Sequence, residues 1–340
     1  MARKFRILSI DGGGLRGIVP ATILQKIEDI TGKKIYEMFD LIAGSSTGGL
    51  IACALTVSDN GLTPKFQVSD IAKMYTDKGP VIFPQLTAAE RLLRDIEELF
   101  HPMFRPEGLD SVIKEYMGDK TMKDCLRPLF ITSYDIKGNE AVIFKSRNTE
   151  DPVNPLNPKL HDICRATSAA PTFLPAYTFN YDSRERVFVD GGMYMNNPSV
   201  GAIVEISRYA RESNYYNLDG NIDLSEICVL SLGTGHYIND LIYRKISNAG
   251  ALGWIANVAD LMMQGVVQTT TYESEELLDD GNYLRLDIKI DDPAHDDMTD
   301  SSATTANYLI RKTQDLLNNP DTMKQLTDFL NKIQEGPFNV

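Results

Sequence analysis

The chain has 340 residues, 43% of them hydrophobic and 24% charged, which suits a globular protein with a sizeable core. Its formal net charge is −13 and its pI is near 4.8. So acidic a chain lacks the basic surface that nucleic-acid phosphates demand, and it is repelled by anionic membrane surfaces. Residues 5–10 (FRILSI) are apolar and run into glycines, the mark of a buried strand. DGGGLRG, residues 11–17, follows, and residues 18–30 then carry apolar positions at helical spacing up to a stop at Gly32. Residues 39–43 read as a second buried strand, ending in GSSTGG (44–49) and a small-residue helix over 47–57. A β-α-β-α opening of this kind predicts a parallel sheet with right-handed crossovers.

Further along, helices are predicted over 68–78, 88–100 and 109–117, with PVIFPQL (80–86) as an apolar loop between prolines. Strands are predicted over 128–134, 141–145, 186–189, 227–232 and 283–290, and helices over 161–168, 199–211, 249–278, 302–317 and 323–333. One α/β domain with inserted and C-terminal helices accounts for this order better than two domains. The four cysteines, at 53, 125, 164 and 228, form no C-x-x-C pair and read as reduced thiols. MARKFRILSIDGG has too short an apolar run for a secretory signal. The apolar stretch 249–267 is interrupted by Asn257, Asp260 and Gln264, which argues against a membrane span. A cytoplasmic location, at most peripheral to membranes, is the expectation. The acidic run 273–300 reads as solvated surface, and DIKIDDPAHDDMTD lacks the glycine and spacing of a calcium loop.

Two glycine elements carry the chemistry. Gly12-x-Gly14-x-x-Gly17 fits a dinucleotide fingerprint, but it also fits backbone donors aimed at a reacting acyl group. A ribose-binding acid belongs at the end of the second strand. That strand's only acid, Asp40, is at its beginning, and neither glycine cluster forms a P-loop. The second strand ends instead in Gly44-x-Ser46-x-Gly48, a nucleophile elbow between strand and helix. Adjacent parallel strands ending in a glycine loop and a serine suit acyl transfer. A serine needs a base. Of the histidines 101, 161, 236 and 295, only His236, after Gly233-Thr234-Gly235, is placed for a triad. Asp190, at the end of VFV and followed by Gly191 and Gly192, competes for the role, and the local pattern leans towards it.

Taken in order, Asp11-Gly-Gly-Gly-Leu-Arg-Gly17, Gly44-Ser-Ser-Thr-Gly48 and Asp190-Gly-Gly192 resemble the patatin-like phospholipase family. CRATSAAPTFLPA (164–176), NNP (196–198) and SLGTG (231–235) agree with it. The resemblance implies a three-layer α/β fold, its mostly parallel central sheet flanked by helices. It implies a single domain over 1–340, motif-bearing over about 5–310, with a C-terminal helical extension at 311–340. It implies a Ser–Asp dyad, Ser46 as nucleophile and Asp190 as proton acceptor. Gly12, Gly13 and Gly14 would form the oxyanion hole, with Arg16 bracing the loop and Gly44, Gly48, Gly191 and Gly192 supporting the turns. It implies no metal and no cofactor. Expected substrates are phospholipids, lysophospholipids and related lipid esters, met in brief membrane or micelle contact; a homo-oligomer is compatible. PVIFPQL and GALGWIANVADLMMQGVVQ, with Trp254, are the candidate lid or lipid-contacting surfaces. Three other readings stay open: a Ser-His-Asp esterase using His236, a bacterial effector activated by a partner or nucleotide signal, and a non-catalytic lipid-binding protein.

Overall fold

The computed structural model describes residues 4–85, 102–209, 222–237 and 251–334, the side chains of 209 and 251–260 excepted. The helix expected over 88–100, His101 and the Trp254 side chain lie outside the described residues. The main elements are β1 (Phe5–Ile10), α1 (Ile18–Thr31), β2 (Leu41–Ser45), α2 (Thr47–Thr56), α3 (Val68–Ile82), α4 (Glu107–Met117), β3 (Leu129–Asp135) and β4 (Glu140–Lys145). They continue with α5 (Leu160–Thr167), β5 (Tyr177–Tyr181), β6 (Arg184–Asp190), α6 (Ser199–Tyr209), β7 (Ile227–Leu232), β8 (His236–Tyr237) and α7 (Ala251–Leu277). The chain closes with β9 (Tyr283–Leu286), β10 (Lys289–Ile290), α8 (Ala303–Asn318) and α9 (Pro320–Gln334).

Among the described residues an eight-stranded sheet runs β5-β6-β3-β2-β1-β7-β9, with β4 also on β3. The stretch from β3 through β2, β1 and β7 to β9 is parallel, while β4, β5 and β6 pair antiparallel. Strand side chains alternate between faces, and the core divides accordingly. Leu8, Ile10 and Ile42 join one apolar cluster with α1, α2 and the C-terminal helices. Phe5, Ile7, Leu41 and Ala43 join another with Ala202, Ile203 and Ile206 of α6. Helices thus cover both faces of the sheet in three layers. Each fully buried Leu or Ile contributes roughly 1.5–3 kcal/mol. The central strands β1, β2 and β7 are buried along their whole length, as parallel strands covered on both faces must be.

One detail of β3 places the site. β4 pairs with residues 130–135 along one edge of β3. The other edge is shared: β2 takes the first part, with Ser45 opposite Thr132, and β6 takes the rest, with Asp190 opposite Ser133. β2 and β6 run towards each other along this edge, so their C-terminal ends meet head to head.

Several local expectations change. PVIFPQL is not wholly a loop: residues 80–82 are the last turn of α3, and Pro80 is accommodated there at the loss of a helical hydrogen bond. The strand expected over 283–290 breaks after Leu286, because the Asp287 carboxylate accepts from the Gly235 and Ile288 N–H groups and turns the chain. Its second half pairs with β8 in a separate two-stranded sheet. β5 was not anticipated. No described helix is long and apolar enough to cross a membrane.

Candidate active site

The turn after β2 is built by glycines. A Cβ on Gly44 would lie 2.3 Å from the Gly48 carbonyl oxygen, and one on Gly48 would lie 2.1 Å from that of Ile10. Only hydrogen fits at either position, so the backbone doubles back tightly and lifts Ser46 out of the sheet. Ser46 has φ 51° and ψ −122°, a left-handed backbone that costs a non-glycine residue about 1–3 kcal/mol. Thr167, at the end of α5, braces it by accepting from the Ser46 N–H at 2.9 Å. The following helix α2 directs its N-terminus, the positive end of its dipole, at this point.

Asp190 ends β6 and meets the serine where the two strands converge. The Ser46 hydroxyl donates to Asp190 Oδ2 at 2.5 Å. Asp190 Oδ1 accepts from the Gly192 N–H at 2.7 Å, which fixes the plane of the carboxylate. Burial pushes the Asp190 carboxyl up to about 6, against the opposing pull of the Ser46 and Gly192 hydrogen bonds. A carboxyl poised there is ionised at neutral pH yet basic enough to share a proton.

The glycine loop passes beside this pair. Its three consecutive glycines do not behave alike. The Gly12 N–H donates to the Asn196 carbonyl at 3.2 Å, and the Gly12 carbonyl accepts from Thr234 Oγ1 at 2.7 Å. Gly12 is therefore a clamped anchor, and its N–H is not the donor expected of it. Gly13 and Gly14 line the cavity that holds Ser46 and Asp190, and neither N–H has an acceptor among the described residues. Arg16 Nη1 donates to Asp296 Oδ1 at 3.2 Å, and the Leu15 N–H donates to the Met298 carbonyl at 2.9 Å. The acidic run is accordingly not all solvated surface, since Asp296 accepts from Arg16 of the loop and Asp287 accepts from the Gly235 N–H and from Arg285. A Cβ on Gly191, the residue after Asp190, would strike Thr132.

The cavity has a volume of about 210 Å³ and walls of Leu50, Met74, Ile82, Phe83, Leu109 and Phe173, among others. None of the described residues that line it is cationic. Met193 and Met262 line it and are also exposed, so its apolar wall continues to the surface. His236 is elsewhere. Its Nδ1 lies 3.2 Å from Asp287 Oδ2, and it faces a second, polar cavity of about 500 Å³ on the other side of the glycine loop. Met298 and Arg285 escape sequence reasoning because they reach the site only through tertiary packing, and Thr167, although within CRATSAAPTFLPA, shows no local sign of its bond to Ser46. Thr234 and Asn196 sit inside the recognisable SLGTG and NNP stretches, but their grip on Gly12 has no local signature.

The family model "Patatin-like phospholipase" matches residues 8–203. Patatin-like protein 3 of Arabidopsis thaliana is 33% identical over 316 residues, covering 83% of this chain and 73% of that one. Patatin-like protein 1 of Oryza sativa subsp. indica is 32% identical over 330 residues, covering 89% and 78%. Patatin-12 of Solanum tuberosum is 29% identical over 337 residues, covering 92% and 84%. With a family model matching more than half of its length and relatives above 30% identity over most of it, the chain belongs to the patatin-like phospholipase family.

Proposed function

We propose that the protein hydrolyses fatty acyl esters of phospholipids and lysophospholipids, with Ser46 as nucleophile and Asp190 as its base. The observation that carries this reading is the 2.5 Å Ser46–Asp190 hydrogen bond on the wall of an apolar cavity, beside Gly13 and Gly14, whose N–H groups have no acceptor among the described residues. Asp190 takes the hydroxyl proton as Ser46 Oγ attacks the acyl carbon. The carbonyl oxygen becomes an alkoxide, which the Gly13 and Gly14 N–H groups stabilise. Collapse breaks the ester C–O bond, and protonated Asp190 returns its proton to the departing alcohol. Water then attacks the acyl-serine with Asp190 again as base, releasing the fatty acid and restoring Ser46. The apolar walls support recognition of the acyl chain rather than the headgroup. The exposed Met193 and Met262 support brief contact with a micelle or bilayer at the cavity mouth.

The test pairs chemistry with labelling. A fluorophosphonate should modify Ser46, located by peptide mass spectrometry, and lysophospholipid micelles should release fatty acid with chelator present. A label on another residue, or release that stops with chelator, would remove the reading.

Two variants sharpen the roles. Gly14 has φ +56°, and a Cβ there would lie 2.5 Å from the Met298 carbonyl oxygen. Gly14→Ala should therefore displace the donor loop and lower kcat about 100-fold, the scale of one lost oxyanion donor. His236→Ala should lower kcat no more than about threefold, because the ring pairs with Asp287 and not with Ser46. Loss of activity in that variant would favour the histidine triad instead.

A further inference from the structure

The segment just before the donor glycines is held from beneath by a buried charge cluster. β9 lies beside β7, and β7 beside β1. Ser9, Ser231 and Arg285 share one row across these strands. Arg285 reaches back along this row. Its Nη1 donates to Ser231 Oγ at 2.9 Å, and its Nη2 donates to Asp11 Oδ2 at 2.7 Å and to Asp287 Oδ2 at 3.2 Å. Asp11 is the residue immediately before Gly12, and its N–H is tied to the Leu232 carbonyl at 3.0 Å. The Arg285 and Asp11 side chains are both largely buried. Asp287 is held independently by the Gly235 and Ile288 N–H groups, so the exposed His236 is not needed to place it.

A buried arginine between two carboxylates brings little net stability, since desolvation consumes much of the attraction. Its effect is better sought in geometry. Asp11 and Gly12 are held at several of their polar groups: Arg285 on the Asp11 carboxylate, Leu232 on the Asp11 N–H, and Asn196 and Thr234 on the Gly12 N–H and carbonyl. The next two residues, Gly13 and Gly14, line the Ser46 cavity, and their N–H groups have no acceptor among the described residues. Oxyanion donors act only when held within about 0.5 Å of the productive position. Arg285 does not line the Ser46 cavity, so it cannot act by touching the acyl chain.

We infer that Arg285 is a positioning residue for catalysis: by clamping Asp11 against Ser231 and Asp287, it sets the orientation of the Gly13 and Gly14 N–H groups. This rests on the Ser46–Asp190 reading of the site. The test measures kcat and KM on a lysophospholipid for Arg285→Lys and Arg285→Met, with circular-dichroism melting to establish folding and Ser46→Ala in the same panel. A misplacement on the scale of 1 Å predicts a kcat loss of about 100-fold in the Met variant, with KM within about twofold of wild type. Lysine keeps the charge but loses the planar fork that spans three partners, so its kcat should fall about tenfold, between wild type and Met. A wild-type kcat in Arg285→Lys or in folded Arg285→Met overturns the proposal, as does a loss confined to KM. Should Met at this position prevent folding, the Lys variant alone decides. Inactive Ser46→Ala beside fully active Arg285 variants overturns this proposal alone, whereas active Ser46→Ala overturns the underlying dyad as well.

Discussion

Ser46→Ala should lower fatty-acid release from a lysophospholipid by about 10⁴–10⁶-fold, the loss typical of deleting a serine nucleophile. The residual rate would come from the glycine donors and from substrate binding, which survive the change. The protein should stay folded, because alanine removes only the oxygen that faces the cavity. The adjacent serine supplies the control. Ser45 is fully buried in β2, does not line the cavity, and its hydroxyl has no hydrogen-bond partner among the described residues. Ser45→Ala should therefore keep full activity, and it should raise stability by about 1 kcal/mol, since an unsatisfied buried hydroxyl is removed. Fatty-acid release and thermal melting of the two variants side by side decide between the serines of GSSTGG. Release by Ser46→Ala within tenfold of wild type would end the case for it as nucleophile.

That the two neighbouring serines differ so sharply follows from strand geometry, and it shows what the sequence could display. The elbow, the glycine loop and the strand-end aspartate were each legible as local patterns: a short apolar strand running into small residues. Their alternation with helices was enough to indicate a parallel α/β sheet. What joins Ser46 to Asp190 is not local. The two residues are 144 positions apart. They meet because β6 enters antiparallel and shares one edge of β3 with β2, a pairing that no run of hydrophobicity encodes. The same limit applies to the glycines. DGGGLRG announces donors but not which of them point inward, since that depends on Asn196 and Thr234 taking the polar groups of Gly12. Composition misled in one place: Asp287 and Asp296 belong to a stretch that looks solvated, yet Asp296 is held by Arg16 of the loop and Asp287 by Arg285, which also reaches Asp11.

Asp190→Asn should lower kcat by about 10³–10⁴-fold, because an amide keeps the shape of the carboxylate but cannot take the serine proton. The pH profile separates this from a merely structural loss. In the wild-type protein kcat/KM should rise with pH through about 6, where the buried carboxyl ionises and becomes a base. Asp11 is also pushed up to about 6 by burial, so the limb alone does not identify its owner. Asp190→Asn leaves Asp11 in place. Its residual activity should be flat across that range if the limb belongs to Asp190, and a persistent limb would assign it elsewhere. Stability should move the opposite way to activity. Between about pH 4 and 6 the native state holds a proton on Asp190 that the unfolded chain has already lost, so stability falls as pH rises through this window. A carboxyl titrating near 6 rather than near 4 costs about 3 kcal/mol once ionised. Asparagine at 190 avoids that cost. The variant should therefore melt above the wild type at pH 8, with the difference shrinking towards zero at pH 4. An Asn variant less stable than wild type at pH 8 would mean that the ionised carboxylate is already satisfied by Ser46 and Gly192, leaving too little basicity at Asp190 to activate the serine.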